Sequence, residues 1–448
     1  MDTSGYQPAR LIPITGIKGD QEQERRATSA LLAVIQAVPE FARALLKPLG
    51  APAGRLGAFI EPAFAYGDKK VRPDGLIVVE RAGKTWSAAV EVKTNKNDLG
   101  PEQLNMYLDL CRENGIGTLI TISNQIVTLS GAHPTDGLDG RRLRKTTLQH
   151  FSWMRILAEA QLQKEHRGIS DPDQAWILGE LIRYLQAPAS GALQFSDMGE
   201  SWVRVRQGVL NGTLTPSDDG AFAVVQRFES LLRYASFRLS ARLGVDVRPV
   251  VSKAAKDDPA KHAKSVVAEF AKDAQLRGAL RVEDTVAPLE VAVDLRSAQI
   301  MSSVRVDAPK EGRPLTRVNW VLRQLKAAPA GVRIETYVKR AQAPSNVCLL
   351  GEALQKPELL VPADGREITA FTATLISPMG TARGEGKRSF VDSFLNAVDT
   401  TYKAILESLQ AWAPKAPKLL PNSNPLGDEE PNGALDEPIA EGAATGNA

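Results

Sequence analysis

Two carboxylic acids and a lysine lie beside apolar segments in the stretch RPDGLIVVERAGKTWSAAVEVKTNKNDLGPEQLNMY. Asp74 precedes the run LIVV, and Glu91 and Lys93 belong to the end of the run WSAAVEVK. Alternation along a strand places Glu91 and Lys93 on one face and Val90 and Val92 on the other. The turn ERAGK between the runs predicts a hairpin. We therefore expect Asp74 to lie beside Glu91.

Such a pair of carboxylates indicates a metal site. Two carboxylates a few ångströms apart repel, and one of them is pushed towards its neutral form. A divalent cation such as Mg²⁺ removes this conflict, because it prefers hard oxygen ligands and keeps several waters. Two carboxylates, a backbone carbonyl and water would make a reasonable site. Lys93 would lie at its edge and orient an attacking water or stabilise charge on a phosphate.

A second pair of residues follows on a predicted helix that begins near Gly100. Gln103 and Tyr107 are four residues apart and share one helix face. Together with Pro73-Asp74 and Glu91-Val92-Lys93, this Q-x-x-x-Y spacing resembles the PD-(D/E)xK nuclease superfamily, in particular its RecB-type members. The resemblance covers about residues 18 to 131, and the remainder of the chain resembles no family that we recognise.

The resemblance implies roles for these residues. Asp74 and Glu91 would hold Mg²⁺ or Mn²⁺, the carbonyl of Val92 would complete the inner shell, and Lys93 would act on the nucleophilic water. Gln103 and Tyr107 would face the same site. The substrate would be DNA, whose phosphodiester bonds would be hydrolysed.

The resemblance also implies a glutamate from the first helix. The segment KGDQEQERRAT places Glu24 where many members carry a metal-linked or water-linked glutamate. Glu22 competes for this role, and Glu61 on the first strand is a weaker choice.

The pattern of elements predicts an α/β fold with a restriction-endonuclease-like core at residues 1–140. We expect a helix from about Asp20 to Leu46 with a kink or break at Pro39, then three strands, a helix and a strand. A helical region is expected at 141–270 and an α+β domain of unknown role at 271–413. The acidic segment 414–448 lacks an apolar face and is expected to be disordered.

The charge distribution favours a polyanionic partner. The total formal charge is +3, but from Pro421 onward there are six acids and no Lys or Arg, so the preceding residues carry +9. Four candidate DNA-binding cations follow the core directly. They are Arg141, Arg142, Arg144 and Lys145. The helix that carries Arg317, Arg323 and Lys326 is the alternative.

Other features predict a cytoplasmic protein. Cys111 and Cys348 are far apart without metal-like spacing, which is typical of reduced thiols. No apolar run is long enough for a membrane span, and the N-terminus does not resemble a secretory signal. His150 is expected to be a packed or capping histidine.

The leading hypothesis is therefore a Mg²⁺-dependent nuclease acting on DNA, in repair, stress response or phage defence. The alternative is a catalytically silent nuclease-fold protein that binds DNA or regulates through its C-terminal domain. A homodimer or a protein partner would form through the same C-terminal region.

Overall fold

The computed structural model describes residues 10–127 and 133–414, which form a mixed α/β structure. The described residues as far as Trp412 belong to one compact unit. Its division into domains at residues 140 and 270 stays a prediction. The expected disorder of the acidic tail concerns residues that, apart from Pro414, lie outside the described ranges.

The strands belong to two large sheets and one small hairpin. In chain order they are β1 (Arg55–Ile60), β2 (Phe64–Tyr66), β3 (Lys69–Val71), β4 (Gly75–Arg81), β5 (Lys84–Val92), β6 (Thr118–Ser123), β7 (Thr147–Ser152), β8 (Val247–Pro249), β9 (Gln275–Val282), β10 (Leu289–Asp294), β11 (Gln299–Asp307), β12 (Arg333–Val338), β13 (Asn346–Leu349) and β14 (Ile368–Pro378).

The helices connect and cover these sheets. In chain order they are α1 (Gly19–Ala37), α2 (Pro39–Leu46), α3 (Pro101–Glu113), α4 (Gly140–Leu143), α5 (Trp153–Leu162), α6 (Pro172–Gln186), α7 (Ser201–Leu210), α8 (Asp219–Leu243), α9 (Lys253–Asp257), α10 (Pro259–Asp273), α11 (Pro314–Leu325), α12 (Leu350–Gln355) and α13 (Phe390–Ala404).

The first sheet carries the predicted site. Its strand order is β1-β4-β5-β6-β7. Strands β1, β4 and β5 are antiparallel, whereas β5, β6 and β7 run parallel. The predicted hairpin is β4–β5, and its loop is Ala82-Gly83, with φ values of 49° and 74°. Two consecutive positive φ values are typical of the tight turn that joins antiparallel strands.

Helices cover the two faces of this sheet unequally. The core of α1, α2 and α5 packs on the face that carries Val90 and Val92. Helix α3 covers the other face with a smaller cluster around Leu104 and Tyr107. The second face therefore stays polar near the carboxyl end of β5, where Glu91 lies.

The second sheet has seven antiparallel strands in the order β13-β12-β14-β11-β10-β9-β8. Helices α8, α11 and α13 pack against it. The alternating patterns after residue 274 correctly predicted β9, β10, β11, β12 and β14. The short strands β8 and β13 were not predicted.

Three local predictions need correction. The first helix is two helices, because the chain is extended at Val38 and bends before Pro39. The first strand ends at Ile60, since Glu61 has a φ of 47° and Pro62 follows. Residues Thr147–Ser152, predicted as helix, form strand β7 instead.

No single helix in the described ranges is long and apolar enough to cross a membrane. Within the same ranges, one helix pair, Gly19–Ala37 and Pro39–Leu49, is long and apolar enough when its two helices are taken together, and it is bent by 108°.

Candidate active site

The β4–β5 hairpin brings Asp74 to the end of β5. Asp74 directly precedes β4, and its Oδ2 accepts a hydrogen bond of 2.7 Å from the backbone N–H of Val92. Gly75 pairs with Val90 in the antiparallel register, so this contact lies just beyond the paired residues. The carboxylate of Asp74 thus accepts the hydrogen bond that a backbone carbonyl of a neighbouring strand would otherwise accept.

The carbonyl of Val92 lies beyond the last paired residues of the β4–β5 ladder. Continuing the β4–β5 register by two residues places Pro73 opposite Val92. Proline has no N–H, so this position offers no ladder donor to the carbonyl of Val92. The N–H of Lys93 bonds to Ile122 on β6, and alternation directs the Val92 carbonyl towards Asp74 instead. The Pro-Asp pair therefore leaves a carbonyl beside a carboxylate.

Glu91 is the most deeply buried acid of the cluster, at 2% exposure. Its Oε1 accepts hydrogen bonds from Gln103 Nε2 (2.8 Å) and Lys93 Nζ (3.2 Å). Its Oε2 is buried and forms no hydrogen bond of ordinary length among the described residues, although the Tyr107 hydroxyl is close enough to the Glu91 carboxylate to interact with it. Burial and the nearby Asp74 carboxylate raise the pKa of Glu91 to about 7. A buried acceptor without a donor is unusual and calls for a missing partner.

Burial and the neighbouring charges also change the pKa values of Asp74 and Lys93. Burial raises the pKa of Asp74, against the lowering effects of the Val92 N–H and of Lys93. Burial alone would lower the pKa of Lys93, but the carboxylates of Glu91, Glu24 and Asp74 raise it above its ordinary value. Lys93 is therefore a stable ammonium at neutral pH.

Helix α1 contributes Glu24 to the cluster. Glu24 Oε2 accepts from Lys93 Nζ at 3.3 Å, and its Oε1 accepts from Asn97 Nδ2 at 3.0 Å. Glu22 instead pairs with Arg26 (2.6 Å) and caps the N–H of Lys18, which lowers its pKa. The structure thus places Glu24 at the site and directs Glu22 away from it.

The third candidate glutamate is paired at the rim. Glu61 lies in the turn after β1 and accepts from Arg25 Nε at 2.7 Å. Both side chains are exposed, although the charge of Glu61 still contributes to raising the pKa of Asp74.

The two residues of the Q-x-x-x-Y spacing lie where the helix prediction put them. Gln103 bonds directly to Glu91. Tyr107 is buried one turn later, and burial together with the Glu91 carboxylate raises its pKa. Both side chains of α3 therefore face Glu91.

Residues far along the chain also hold this end of β5. Trp153 is fully buried at the start of α5, and its Nε1 donates to the carbonyl of Lys93 at 2.9 Å. Sequence reasoning did not assign Trp153 to the site, because strand β7, which positions it, was not recognised. The signal in the sequence that could have indicated this strand was the run TLQHFS, which Trp153 follows directly.

A turn after α6 closes the same region. Gly191 accepts hydrogen bonds from the N–H of Asn95 (3.0 Å) and from Asn124 Nδ2 (2.7 Å). Gly191 has a φ of 74°, and a Cβ there would lie 2.7 Å from Thr94 Cβ and 2.8 Å from the side chain of Gln23. Only glycine fits, because both the backbone angle and the space exclude a side chain. We call Gly191 and the two residues that donate to its carbonyl, Asn95 and Asn124, the Gly191 clasp.

A second buried polar cluster adjoins the acids. Glu91, Thr121 and His150 are register partners across β5, β6 and β7, so they share one row and one face. Thr121 Oγ1 is hydrogen bonded to His133 Nε2 (2.9 Å) and His150 Nδ1 (3.0 Å). Burial lowers the pKa of both histidines to about 4. The expectation of a packed His150 agrees with this environment.

The predicted DNA-binding cations are not equivalent. Arg142 is ion-paired to Asp109 (2.9 Å) and Asp139 (3.2 Å), which ties α4 to α3. The other three, Arg141, Arg144 and Lys145, are exposed. In the alternative helix, Arg317 is 8% exposed and its guanidinium bonds to the carbonyls of Gly312, Lys310 and Ile368.

The donor set suits a hard cation that keeps part of its water shell. Among residues 10–127 and 133–414, no group of three or more His, Cys, Asp or Glu side chains forms a ready-made metal site. Two carboxylates and the Val92 carbonyl make a smaller set, which is what Mg²⁺ usually takes from a protein. The Oε2 of Glu91 is an acceptor of the right kind.

Comparison with known proteins adds no family to this geometry. No family model matches the chain, and no curated protein is significantly similar to it in sequence. The chemistry of the acidic cluster is therefore the basis on which a function can be assigned.

Proposed function

We propose that the protein is a metal-dependent nuclease that hydrolyses DNA phosphodiester bonds. One observation carries the proposal: the buried carboxylate of Glu91 lies beside that of Asp74 and the ammonium of Lys93, and within the described residues its Oε2 forms no hydrogen bond of ordinary length. A purely structural cluster would satisfy this atom, because an unpaired buried acceptor costs about 1–3 kcal/mol. The finer parts of the proposal are a restriction-endonuclease-like core, a cytoplasmic location and assembly through the C-terminal region.

The residues that would hold Mg²⁺ or Mn²⁺ are Asp74, Glu91 and the carbonyl of Val92. When bound, such a cation lowers the pKa of a coordinated water and neutralises charge on phosphate oxygens. Glu91 must be deprotonated to bind it, and its pKa of about 7 places that step near neutral pH. Metal affinity should therefore increase as the pH rises through 7.

Lys93 supplies a fixed positive charge rather than a base. Its pKa is raised above the ordinary 10.5, so Lys93 stays protonated through the neutral range in which Glu91 ionises. An ammonium held between Glu91 and Glu24 can donate to a phosphate oxygen or to a water and stabilises charge that develops there.

The remaining side chains fix the orientation of the acids. Gln103 donates to Oε1 of Glu91, which leaves Oε2 as the free acceptor. Asn97 and Lys93 hold the two oxygens of Glu24 separately. Tyr107 stays protonated because its pKa is raised, so it adds no charge next to Glu91.

The test is a cleavage assay with the purified full-length chain. Supercoiled plasmid, linear duplex and single-stranded DNA would each be incubated with Mg²⁺, Mn²⁺ or EDTA, beside the Glu91→Gln variant. We expect cleavage with either metal, none in EDTA and none from the variant. A folded wild-type protein that cuts none of these substrates would refute the proposal and favour the catalytically silent alternative.

A further inference from the structure

A cavity of about 330 Å³ is lined by residues of α5, α6 and α8. Part of its wall is apolar and consists of Met154, Leu157 and Ala158 of α5, which are all buried. Small-molecule sites in proteins have volumes of about 300–1,000 Å³ and mostly apolar walls with a few polar groups. The cavity is therefore large enough for one small ligand.

Two aromatic side chains of α8 line the same cavity. Tyr234 and Phe237 are three residues apart and share one face of the helix. Tyr234 stacks on Phe195, with the ring centres 5.8 Å apart and 25° between the ring planes. The guanidinium carbon of Arg233 lies 5.1 Å from the ring centre of Phe237. Both rings are therefore held in place before a ligand binds, and they favour a planar ligand that packs against aromatic groups.

Three glutamine side chains supply most of the polar lining. Gln161 belongs to α5, Gln186 ends α6, and Gln194 lies between α6 and α7. Within the ranges that the structure describes, none of these three amides is hydrogen bonded to another group of the protein. Gln23 and Gln163, by contrast, donate to backbone carbonyls. The three cavity amides are therefore available to a ligand.

Amide groups and aromatic rings together match the chemistry of a nucleobase. A glutamine amide offers two donors and one acceptor oxygen, and it can contact a base edge through a donor and an acceptor at once. Bases also stack on aromatic side chains. Among the described residues that line the cavity, none is acidic, so its lining does not select a cation. The lining fits a planar heterocycle with donors and acceptors on its edge.

One arginine adds a positive charge to the cavity. Arg238 of α8 lines it and shares the carboxylate of Asp399 with Arg242. Nη2 of Arg238 lies 3.6 Å from one oxygen of Asp399, whereas Nη1 of Arg242 lies 3.2 Å from the other. Two arginines on one carboxylate leave a net positive charge, and the cavity arginine makes the longer contact. An anionic group such as a phosphate would complete this arrangement.

We propose that this cavity binds a free mononucleotide, with its base against the rings and the glutamine amides and its phosphate at Arg238. Helix α5 packs on the face of the first sheet that carries Val90 and Val92, whereas Glu91 lies on the opposite face. The cavity is therefore separate from the acidic cluster, which favours a free compound over a base of a strand bound at the acids. The proposal does not depend on the nuclease function.

The first experiment measures binding of the adenosine, guanosine, cytidine and thymidine 5′-monophosphates to the full-length protein by isothermal titration calorimetry. We expect at least one of them to bind. Gln161→Met and Gln186→Met keep the length of the side chain but remove the amide, so each should weaken binding by up to about tenfold. Gln174→Met is the matched control, because Gln174 lies on α6, about 18 Å before Gln186 at 1.5 Å per residue, and should leave the affinity unchanged.

Two results would overturn the site. One is that none of the four monophosphates binds at millimolar concentration. The other is that the double variant Gln161→Met/Gln186→Met binds them as tightly as the wild type does. The melting temperatures of the variants should stay close to that of the wild type, since the amides have no partner within the described part of the protein, so a lost affinity is not a lost fold.

The second experiment tests the contact with the phosphate. The nucleoside that lacks the phosphate should bind the wild type about tenfold more weakly than its monophosphate, and Arg238→Met should remove this difference. Arg242→Met is the matched control, because Arg242 shares Asp399 but does not line the cavity. It should keep the difference. Equal affinities of nucleoside and monophosphate for the wild type would overturn the assignment of Arg238.

The third experiment separates a free nucleotide from a base of a nucleic-acid strand. Binding of a labelled single-stranded oligonucleotide would be measured in Ca²⁺ with and without a saturating concentration of the monophosphate. We expect no competition, and equal oligonucleotide binding by the wild type and the double glutamine variant. Competition together with weaker binding by that variant would overturn the free ligand and make the cavity a base pocket for the strand. An oligonucleotide that binds neither protein would count against the nuclease and leave the calorimetric result for the cavity intact.

Discussion

Two buried polar clusters lie side by side on the same row of the first sheet and differ in how completely they are satisfied. In one, Thr121 links His133 and His150. In the other, Asp74 and Lys93 surround Glu91, whose Oε2 forms no hydrogen bond of ordinary length in the part of the chain that the structure describes. Both clusters are buried at the carboxyl ends of parallel strands. Burial alone therefore does not separate a structural cluster from a reactive one.

The histidine cluster has a single consistent arrangement of protons. His133 Nδ1 accepts from the N–H of Thr135, so its Nε2–H donates to Thr121. Thr121 then donates to His150 Nδ1, and the Nε2–H of His150 donates to the carbonyl of Gln125. Each group has its partner, both rings are neutral, and nothing is left to bind a ligand. The incomplete cluster is the one to which we assign chemistry.

The largest expected effect is on the incomplete cluster. Asp74→Asn, Glu91→Gln and Lys93→Met should each reduce cleavage by at least about 10²–10³-fold, because each removes a charge that acts only when metal and phosphate are present. In EDTA, Asp74→Asn and Lys93→Met should melt close to the wild type, whereas Glu91→Gln should melt higher, because its raised pKa shows that the ionised carboxylate destabilises the metal-free fold. Steady-state cleavage rates and thermal unfolding measure both. Full activity in any one variant would exclude that residue from the mechanism.

The satisfied cluster should behave in the opposite way. Thr121→Val leaves the Nε2–H of His133 and the Nδ1 of His150 without a partner, so we expect the free energy of unfolding to fall by about 1–3 kcal/mol. Cleavage per folded molecule should change less than about threefold. Denaturant unfolding measures the free energy, and steady-state cleavage rates divided by the concentration of folded protein measure the activity. A large loss of activity at unchanged stability would mean that the two clusters act together.

The pH dependence of stability should also separate the clusters. The folded pKa of Glu91, about 7, exceeds its ordinary 4.5, so the metal-free fold binds an extra proton and loses stability as the pH rises between these values. The folded pKa values of His133 and His150, about 4, lie below 6.5, so stability is lost as the pH falls from 6.5 towards 4.

Glu91→Gln should therefore gain stability relative to the wild type between about pH 5 and pH 7.5 in EDTA. The expected gain is on the order of 3 kcal/mol once the pH exceeds the folded pKa of about 7, because the ordinary pKa is 4.5 and a tenfold change in proton affinity corresponds to about 1.4 kcal/mol. Denaturant titrations at several pH values measure it. Saturating Mg²⁺ should reduce the difference, and parallel curves for the two proteins would contradict the raised pKa.

The smallest expected effect is on nucleic-acid affinity, and it compares the exposed basic residues that follow the core with the ion-paired Arg142. Changing Arg141, Arg144 and Lys145 together to Ala should flatten the slope of log affinity against log salt by up to about three in a cleavage-deficient background. Arg142→Ala should leave the slope unchanged and lower the melting temperature, because the buried Asp109 loses a partner. An unchanged slope in the triple variant would place the backbone contacts elsewhere.

The acidic pair was predictable because its signals are local. Apolar alternation identified the β4–β5 hairpin, and the register then brought Asp74 to Val92. The helix with Gln103 and Tyr107 began at a proline, which marks a first turn. The identity of the helix glutamate was not decidable from sequence, because Glu22 and Glu24 are two positions apart and only the packing of α1 selects one.

Strand β7 escaped prediction for a physical reason. Ser152 ends the strand and also caps α5, with its Oγ accepting from the N–H of Arg155. No glycine or proline separates the two elements, and the basic helix-forming residues before the strand extended the helical pattern. Contacts such as Trp153 with Lys93 depend on this strand, so they could not be predicted either.

The Gly191 clasp has a consequence for when the protein becomes competent during its synthesis. The loop after β5 is held by a turn about a hundred residues later, and Trp153 also arrives after the acids have been made. At a synthesis rate of about 5–20 residues per second, roughly 5–20 s separate the emergence of Val92 from that of Gly191. A nascent chain thus carries its acids long before it carries the geometry that holds them, and the site forms only when the helical region has left the ribosome.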